Sequence, residues 1–315
     1  MAQNPERDIR LFYLEHHEFC TNCKKSFTEY MPAHLGYLEN GDCALLCEEC
    51  ASLLKKTIKK YPWSVRDYIF PEPNSTLWRY MDLSKFISLI STHSLYFASA
   101  SSFNDPFEGA KGTETKRQKW DDYYLSFLRH AVSTVPGAKR ETLTPEKVEA
   151  DARRLLRELS ESGELRRTQT YISCWHSNES ESEAMWHLYS KDVTNAVAIR
   201  TTTEHLYASL DYDPRILIGR VNYIDFAKQY APINAAFWYK RKSFEHEREV
   251  RAVIFDPYNK SAGISIPVDI DHLIDGIYVS PYSPKWFVDV VQSVVEAYKI
   301  NKPIFQSELL ATPFY

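Results

Sequence analysis

The chain has 315 residues, 44% of them hydrophobic, which is enough to bury a core as one large domain or as a medium domain with a small appendage. Its formal net charge of −4 argues against a strongly basic nucleic-acid-binding surface. With nine glycines and no Gly-x-Gly-x-x-Gly or Walker-type loop, the sequence does not predict a Rossmann or P-loop nucleotide site. No segment is typical of a signal peptide or long enough to span a bilayer, so we expect a cytoplasmic protein without a membrane partner.

Two Cys-x-x-Cys pairs lie in the first fifty residues. This is the spacing of a zinc ribbon, in which four thiolates hold one ion at tetrahedral geometry. A structural zinc replaces the hydrophobic core that so short a segment cannot build, and a cytosolic location makes disulfides the poorer explanation. We therefore predict one structural zinc bound by Cys20, Cys23, Cys47 and Cys50.

The segment from Ala44 to Tyr61, which includes Cys47 and Cys50, is predicted to be a helix with leucines on one side and lysines on the other. Pro62 and the breaker cluster at 71–75 then indicate a connection into the main domain. The sequence thus predicts a zinc-ribbon module with helix and linker at 1–70, and an α+β domain at 71–315.

The main domain begins with a predicted strand from Leu77 to Tyr80, which carries Arg79. The pattern then changes to helical spacing after Asp82, which is placed to cap the first turn. A second strand from Leu95 to Ala98 ends in turn-forming residues at 101–106. Helices at 119–131 and 146–160 follow as an inserted pair.

The remaining pattern predicts strands at 168–175, 196–200, 216–223, 264–268, 274–279 and 303–305, and helices at 181–190 and 284–298. Alternation in a further strand places Val250 on one face and Glu247, Glu249 and Arg251 on the other. These elements predict an α+β fold with a mixed β-sheet core and inserted helices.

Three polar positions on separate strands suggest chemistry, provided that the sheet brings them together: Arg79, Ser173 and the pair Glu247 and Glu249. Arginine is suited to bidentate contact with phosphate, and an ionised glutamate is suited to stabilising an oxocarbenium-like sugar. Together they suit a phosphorylated glycoside such as a dinucleotide. The alternative is a structural ion-pair network in which the glutamates pair with Arg79 or Lys242.

A resemblance supports the first of these interpretations. The segments LWRYM, LYFASASSFNDPFEG, YISCWHS, AMWHLYS and FEHEREVRAV resemble the characteristic blocks of the domain of unknown function 2971 family, over the chain from about Leu77 to the C-terminus. The order of arginine strand, serine strand and Glu-x-Glu also resembles the Arg-Ser-Glu pattern of ADP-ribosyltransferases. RYMDLSKFISLISTHSLYF is similar to the opening of DNA-modifying ADP-ribosyltransferase toxins and RNA 2′-phosphotransferases.

The resemblance to ADP-ribosyltransferases implies NAD as the substrate and assigns a role to each residue of the pattern. Glu249 is then the catalytic carboxylate, Glu247 faces the acceptor, Arg79 binds the phosphates or ribose, and Ser173 steadies the nicotinamide ribose. The predicted NAD-binding set also includes Tyr80, Trp186 and Tyr189. Trp186 and Tyr189 lie one helical turn apart, where core packing is the alternative to a base-stacking pair.

We therefore expect an ADP-ribosyltransferase-like enzyme that modifies a nucleic acid or a protein, such as a toxin or defence effector. One alternative is a non-enzymatic nucleotide-sensing, nucleic-acid-binding or protein-binding module with a structural zinc ribbon. Another is a metal-dependent hydrolase, with Asp105, Glu108 and His176 or His187 as metal ligands or acid and base groups.

Overall fold

The computed structural model describes residues 19–26, 33–37, 43–47, 49–50, 60–64, 71–134, 144–211, 213 and 215–315. In its N-terminal part, strands β1 (Ala33–Tyr37), β2 (Cys43–Cys47) and β3 (Lys60–Ser64) form an antiparallel sheet in the order β2-β1-β3. The predicted helix at 44–61 is therefore wrong at both ends, because its first residues pair with β1 and its last residues belong to β3. Residues 51–59, and the domain boundary predicted near residue 70, lie outside the described residues.

Residues 71–315, which we call the main domain, contain eleven described strands and seven described α-helices in an α+β arrangement. The strands are β4 (Thr76–Asp82), β5 (Ser94–Ser99), β6 (Thr170–Ser177), β7 (Ala196–Thr202), β8 (Ile216–Arg220), β9 (Asn222–Ile224), β10 (Tyr239–Arg241), β11 (Glu249–Phe255), β12 (Gly263–Pro267), β13 (Gly276–Val279) and β14 (Ile304–Gln306). The helices are α1 (Leu83–Thr92), α2 (Arg117–Ser133), α3 (Pro145–Gln169), α4 (Glu183–Tyr189), α5 (Thr203–Ser209), α6 (Ile270–Leu273) and α7 (Lys285–Ala297). The predicted fold class, a mixed sheet with inserted helices, is confirmed.

Nine strands form the central sheet in the order β12-β5-β6-β4-β7-β13-β14, with β11 paired to β6 and β8 paired to β11. Antiparallel pairing dominates, and β13 with β14 supplies a parallel pair. The two short strands β9 and β10 form a separate parallel ribbon. The sheet is therefore mixed, as its sequence pattern predicts.

Each face of the central sheet is covered by its own helices. We call face A the side that carries Leu77, Trp175 and Val250, which pack with buried side chains of α1, α5, α6 and α7. We call face B the opposite side, where Trp78 packs against α4 and Val253 packs against the 3-10 helix Ile233–Trp238. Buried aliphatic and aromatic area on both faces supplies the main driving force for folding.

The sheet splits along one edge of β6. The beginning of β6 pairs with β5 at Tyr171 and Ile172, and its end pairs with β4 at His176 and Ser177. The residues between, 173–175, have no ladder partner on that edge within the described part of the sheet. The two neighbouring strands thus diverge and leave a gap beside the middle of β6.

Two predicted helix features differ from the structure. Asp82 occupies the N-cap position of α1, but its carboxylate accepts a hydrogen bond from the Lys191 backbone N–H at 2.9 Å and makes no cap bond. Helix α3 continues nine residues beyond the predicted end at Ser160. Its last turns consist mostly of Glu, Leu, Arg and Gln, which are good helix formers, and one internal glycine is not enough to end it.

None of the described helices combines the length and the apolar composition that crossing a bilayer requires.

Candidate functional site

Strand β11 begins at a sharp change in backbone direction. Arg248 adopts the left-handed conformation, with φ 40° and ψ 51°, at the end of the 3-10 helix Lys242–Glu247. Arginine rarely adopts a positive φ, so this position is strained. Glu249 then starts the strand, and Glu247 lies before the turn. The prediction that all of Glu247, Glu249 and Arg251 share one strand face is therefore corrected, since only Glu249 and Arg251 belong to β11.

A buried network of charges covers the start of β11 on face B. Arg251 is fully buried and donates to both oxygens of Glu108 and both oxygens of Glu249. Lys240 donates to Glu249 at 3.3 Å and also to Glu247. Three carboxylates thus share two cations, which leaves one negative charge in excess when all three are ionised.

The network determines the ionisation of its members. Burial alone would raise the pKa of Glu249, but Arg251 and Lys240 outweigh it and lower that pKa to about 2. Burial acts against the charged form of Lys240, yet the carboxylates of Glu249 and Glu247 raise its pKa. The pKa of Glu108 is raised, mainly by burial, despite its two bonds to Arg251. The two cations therefore favour the ionised form of Glu249, which is almost completely buried.

Neutral polar side chains surround this carboxylate. Burial and the charge of Glu249 raise the pKa of Cys174 well above its usual range, so its thiol stays protonated. The thiol donates a hydrogen bond to the Glu249 carboxylate. The pKa of Tyr189 is raised by burial and further by the charges of Glu247 and Glu249. Tyr223 accepts a hydrogen bond from the Glu249 backbone N–H at 2.7 Å.

A neighbouring histidine has a buried acceptor atom. The Nδ1 atom of His176 lies 2.6 Å from the Glu247 carbonyl oxygen, so Nδ1 must carry the proton and donate. Burial, assisted by the charge of Arg248, lowers the pKa of His176 and keeps the ring neutral. Its Nε2 atom is buried without a partner among the described residues. This lone pair is enclosed by protein and is not open to a ligand in this conformation.

Arg79 and Ser173 are brought together at the split in the sheet. The guanidinium of Arg79 donates to the Ser173 hydroxyl and to the Tyr96 carbonyl oxygen at 3.3 Å, and it lies over the Trp175 ring at 5.5 Å. In the part of the chain that the structure describes, no carboxylate forms an ion pair with it. Burial lowers the pKa of Arg79, and the nearby Cys174 opposes that effect. Arg79 therefore bridges β4, β5 and β6.

The register shows that this pair and the carboxylates lie on opposite faces. Glu249 pairs with His176, and Ala252 pairs with Ser173, so Glu249 and Ser173 point in opposite directions. Arg79 pairs with Ile199 of the face A core and shares its side with Ser173. The expectation that Arg79, Ser173 and Glu249 line one pocket is thus corrected. Cys174, next to Ser173 in sequence, pairs with Arg251 and lies on face B with the carboxylates.

The aromatic residues predicted to bind NAD divide into two groups. Tyr80 and Trp186 are buried and packed edge to face, with ring centroids 4.9 Å apart. The Tyr80 hydroxyl accepts from the Ser182 backbone N–H at 2.7 Å, and the Trp186 indole donates to Glu181 at 3.0 Å. Both rings therefore pack α4 onto face B, whereas Tyr189 is 38% exposed.

A cavity of about 670 Å³ opens at the ends of β6, β8 and β11. Its size lies within the usual range for small-molecule sites. Glu249 lines it, and the other lining residues are Ser177, Arg220, Val221, Tyr223, Glu245, His246, Arg248 and Val250. Arg79, Ser173 and the predicted stacking rings are not among them.

The four predicted zinc ligands converge. The sulfur atoms of Cys20, Cys23, Cys47 and Cys50 all lie within 4.8 Å of one another, and the Cys23 and Cys47 sulfurs are 3.7 Å apart. Tetrahedral Zn–S bonds of about 2.3 Å require sulfur separations of about 3.8 Å. A metal ion fits this donor set, and thiolates select zinc or another soft metal.

The ligands of the hydrolase alternative do not converge in the described residues, where the four cysteines are the group able to hold a metal. Glu108 accepts hydrogen bonds from Arg251, and Asp105 accepts a hydrogen bond from Arg241 at 2.8 Å. His176 donates to a backbone carbonyl. The carboxylates and histidines thus already have protein partners of a different kind.

The sequence analysis named Glu108 only for the hydrolase alternative and did not name Lys240, although both belong to the charge network. Glu108 lies two residues beyond the predicted turn-forming residues 101–106. It precedes Gly109, which has φ +72° and approaches the Phe237 ring so closely that a Cβ would lie 2.5 Å from it. Lys240 follows the aromatic run 237–239, and a lysine in so apolar a segment requires a carboxylate partner if it is buried. This requirement for a carboxylate partner was the feature of the sequence that could have indicated Lys240.

The fold and the site define an α+β protein with a buried carboxylate network beside a cavity. No protein-family model matches the sequence, so the predicted membership of the domain of unknown function 2971 family is not confirmed. No curated protein sequence matches it either.

Two solved structures are similar to this chain at low scores. One is Thermus sp. 2.9 DarT in complex with NAD+, with a TM-score of 0.35 and 7% identity over 76% of this chain and 98% of that chain. The other is Thermus sp. 2.9 DarT in complex with ADP-ribosylated ssDNA, with a TM-score of 0.34 and 8% identity over 76% of this chain and 96% of that chain. Both TM-scores are below 0.5, so these likenesses carry no argument here.

Proposed function

We propose that the chain is an ADP-ribosyltransferase-like enzyme that cleaves the nicotinamide glycosidic bond of NAD and transfers ADP-ribose to a macromolecule. The observation that carries the proposal is the buried, ionised Glu249 beside a cavity, in a network of three carboxylates and two cations. Such a site favours a ligand that is cationic or becomes cationic. The nicotinamide ring of NAD is cationic before cleavage, and the ribose is cationic during it.

The reaction divides between two carboxylates. When the glycosidic bond breaks, its electron pair leaves with nicotinamide, and positive charge develops on the ribose near Glu249. The acceptor then forms a bond to the same ribose carbon, and its proton passes to Glu247. Lys240 joins the two carboxylates and fixes their orientation.

Arg79 and Ser173 have a positioning role in this proposal. Their mutual bond holds the middle of β6, which presents Cys174 and His176 toward the carboxylates on face B. The zinc ribbon contributes a structural zinc through Cys20, Cys23, Cys47 and Cys50, whose geometry suits that ion.

The proposal is tested by nicotinamide release from NAD in the presence of a cell extract. Glu249→Gln keeps the shape and removes the charge, so release should fall on the order of 100-fold or more. Glu158→Gln, on the exposed surface of α3, is the matched control and should retain the wild-type rate.

Labelled NAD identifies the acceptor in the same extract. Label that nuclease removes indicates a nucleic acid, and label that protease removes indicates a protein. If wild-type protein releases nicotinamide no faster than Glu249→Gln, the carboxylate is structural and the chain is better described as a nucleotide-sensing module.

A further inference from the structure

The cavity beside Glu249 contains two arginines that have only neutral hydrogen-bond partners. Arg220 donates to the Ser75 hydroxyl at 3.3 Å, and Arg248 donates to the Asn178 side-chain oxygen at 3.0 Å. Neither forms an ion pair with a carboxylate among the residues that the structure describes. Each guanidinium has five N–H donors, so most of its donors remain free for a ligand.

The backbone brings both arginines to the same place. Arg220 ends β8 directly opposite Val250 of β11, and Arg248 comes just before that strand. Both side chains are exposed and line the cavity together with Tyr223 and Glu249. The acidic residue on the rim, Glu245, has no recorded ion pair with either arginine within the described chain. The rim is therefore positive while the Glu249 side of the cavity is negative.

The backbone conformation of Arg248 bears on how the site can be tested. Its φ of 40° costs backbone strain that glycine at this position would avoid. The strained backbone is held by two hydrogen bonds, from the Arg248 N–H to the Glu245 carbonyl oxygen and from the Ser177 N–H to the Arg248 carbonyl oxygen. These two bonds fix the backbone from which the Arg248 side chain extends, immediately before β11.

We propose that Arg220 and Arg248 form a phosphate-binding site that places the anionic part of a nucleotide next to Glu249. The inference rests on the proposed function and deepens it, because it assigns phosphate recognition to residues other than Arg79. Guanidinium groups bind phosphate oxygens through charge-assisted, bidentate hydrogen bonds. The phosphate belongs either to the pyrophosphate of NAD or to the backbone of a nucleic-acid acceptor, and the two sources are distinguished by the probe.

The test measures equilibrium binding of two probes, NAD and a single-stranded oligonucleotide, to the full chain. Arg248→Gly removes the guanidinium and also relieves the backbone strain, so the variant should fold at least as well as the wild type. Arg220→Gln tests the second arginine. Arg154→Gln, an exposed arginine of α3, is the matched control.

Both cavity variants should weaken binding of at least one probe about tenfold or more, and the control should not. If the probe is the oligonucleotide, the slope of log binding constant against log salt concentration should also decrease in magnitude by about one for each lost phosphate contact. Loss of NAD binding assigns the site to the pyrophosphate, and loss of oligonucleotide binding assigns it to the acceptor backbone.

The inference is overturned if the variants bind both probes as the wild type does, or if the wild type binds neither. This failure is distinguishable from failure of the proposed function. If the wild type releases nicotinamide but the variants bind both probes as the wild type does, only the phosphate-site proposal is contradicted. If the variants bind a probe more weakly but the wild type releases no nicotinamide, the transferase proposal is contradicted and the phosphate-site proposal is supported.

Discussion

At the scale of single residues, the main unfavourable contribution of this site to folding stability is the burial of charged side chains. Arg251 is the residue on which the network depends, because it contacts both Glu108 and Glu249 and has no exposed surface. Buried charges are tolerated when they are paired and hydrogen-bonded, and they are strongly destabilising when one partner is removed.

We therefore expect Arg251→Met to destabilise the chain by about 3–5 kcal/mol, since two buried carboxylates would lose their shared cation. Chemical denaturation followed by circular dichroism measures the change. Arg154→Met, which removes an exposed arginine from α3, should leave the midpoint unchanged. A loss of about 1 kcal/mol or less in Arg251→Met would show that the carboxylates find other partners or bind protons.

Some residues of this network could be predicted from sequence and others could not. Alternation in the segment 250–254 correctly places Val250 in the core, because a period of two is a local property of a strand. The position of Glu247 was predicted incorrectly, because Arg248 interrupts the strand with a positive φ. An arginine in the sequence gives no indication of such a conformation. Glu108 joins Arg251 across 143 positions, and no local pattern reports such a contact.

At the scale of elements, the outcome depends on how β6 pairs with its neighbours. The strands that carry Arg79, Ser173 and Glu249 were predicted close to their observed bounds. Which face each residue occupies follows from register, and a shift of one residue would reverse it. Register between β6 and β11 is set by packing across the whole sheet, so the sequence predicted the strands without predicting the separation of their polar groups.

The split in the sheet leads to a prediction about Arg79. Arg79→Ala removes the bridge between β4, β5 and β6, and it leaves the buried Ser173 hydroxyl without that donor. We expect stability to fall by about 1–3 kcal/mol while the KM for NAD changes less than about twofold. Thermal denaturation and steady-state nicotinamide release measure the two effects separately.

A different result would restore a binding role for Arg79. If Arg79→Ala retains wild-type stability and raises the KM for NAD tenfold or more, the guanidinium contacts the ligand directly. Ser173→Ala is the matched variant, because it removes the same hydrogen bond and keeps the arginine. A binding role for Arg79 would spare Ser173→Ala, whereas a positioning role would affect both variants.

At the scale of the whole molecule, the chain combines two ways of stabilising a fold. The main domain has a continuous core whose buried members run from Leu77 to Val295. None of those residues comes from the described N-terminal part, which is held instead around four cysteine sulfurs. Stability of the N-terminal module should therefore depend on metal, and stability of the main domain should not.

The expected metal content is one zinc per chain, measured on protein purified without chelators. Metal binding to thiolates supplies folding free energy in small modules, so a strong chelator should unfold the N-terminal module. Cys20→Ser should abolish the bound zinc, because Cys20 is a buried member of the cluster. Cys174→Ser should retain it, because Cys174 lies in β6 of the main domain. Unfolding of the main domain should occur at the same denaturant concentration in the chelated and untreated protein. A zinc content well below one per chain, or equal zinc in Cys20→Ser and wild type, would contradict the assignment of these four ligands.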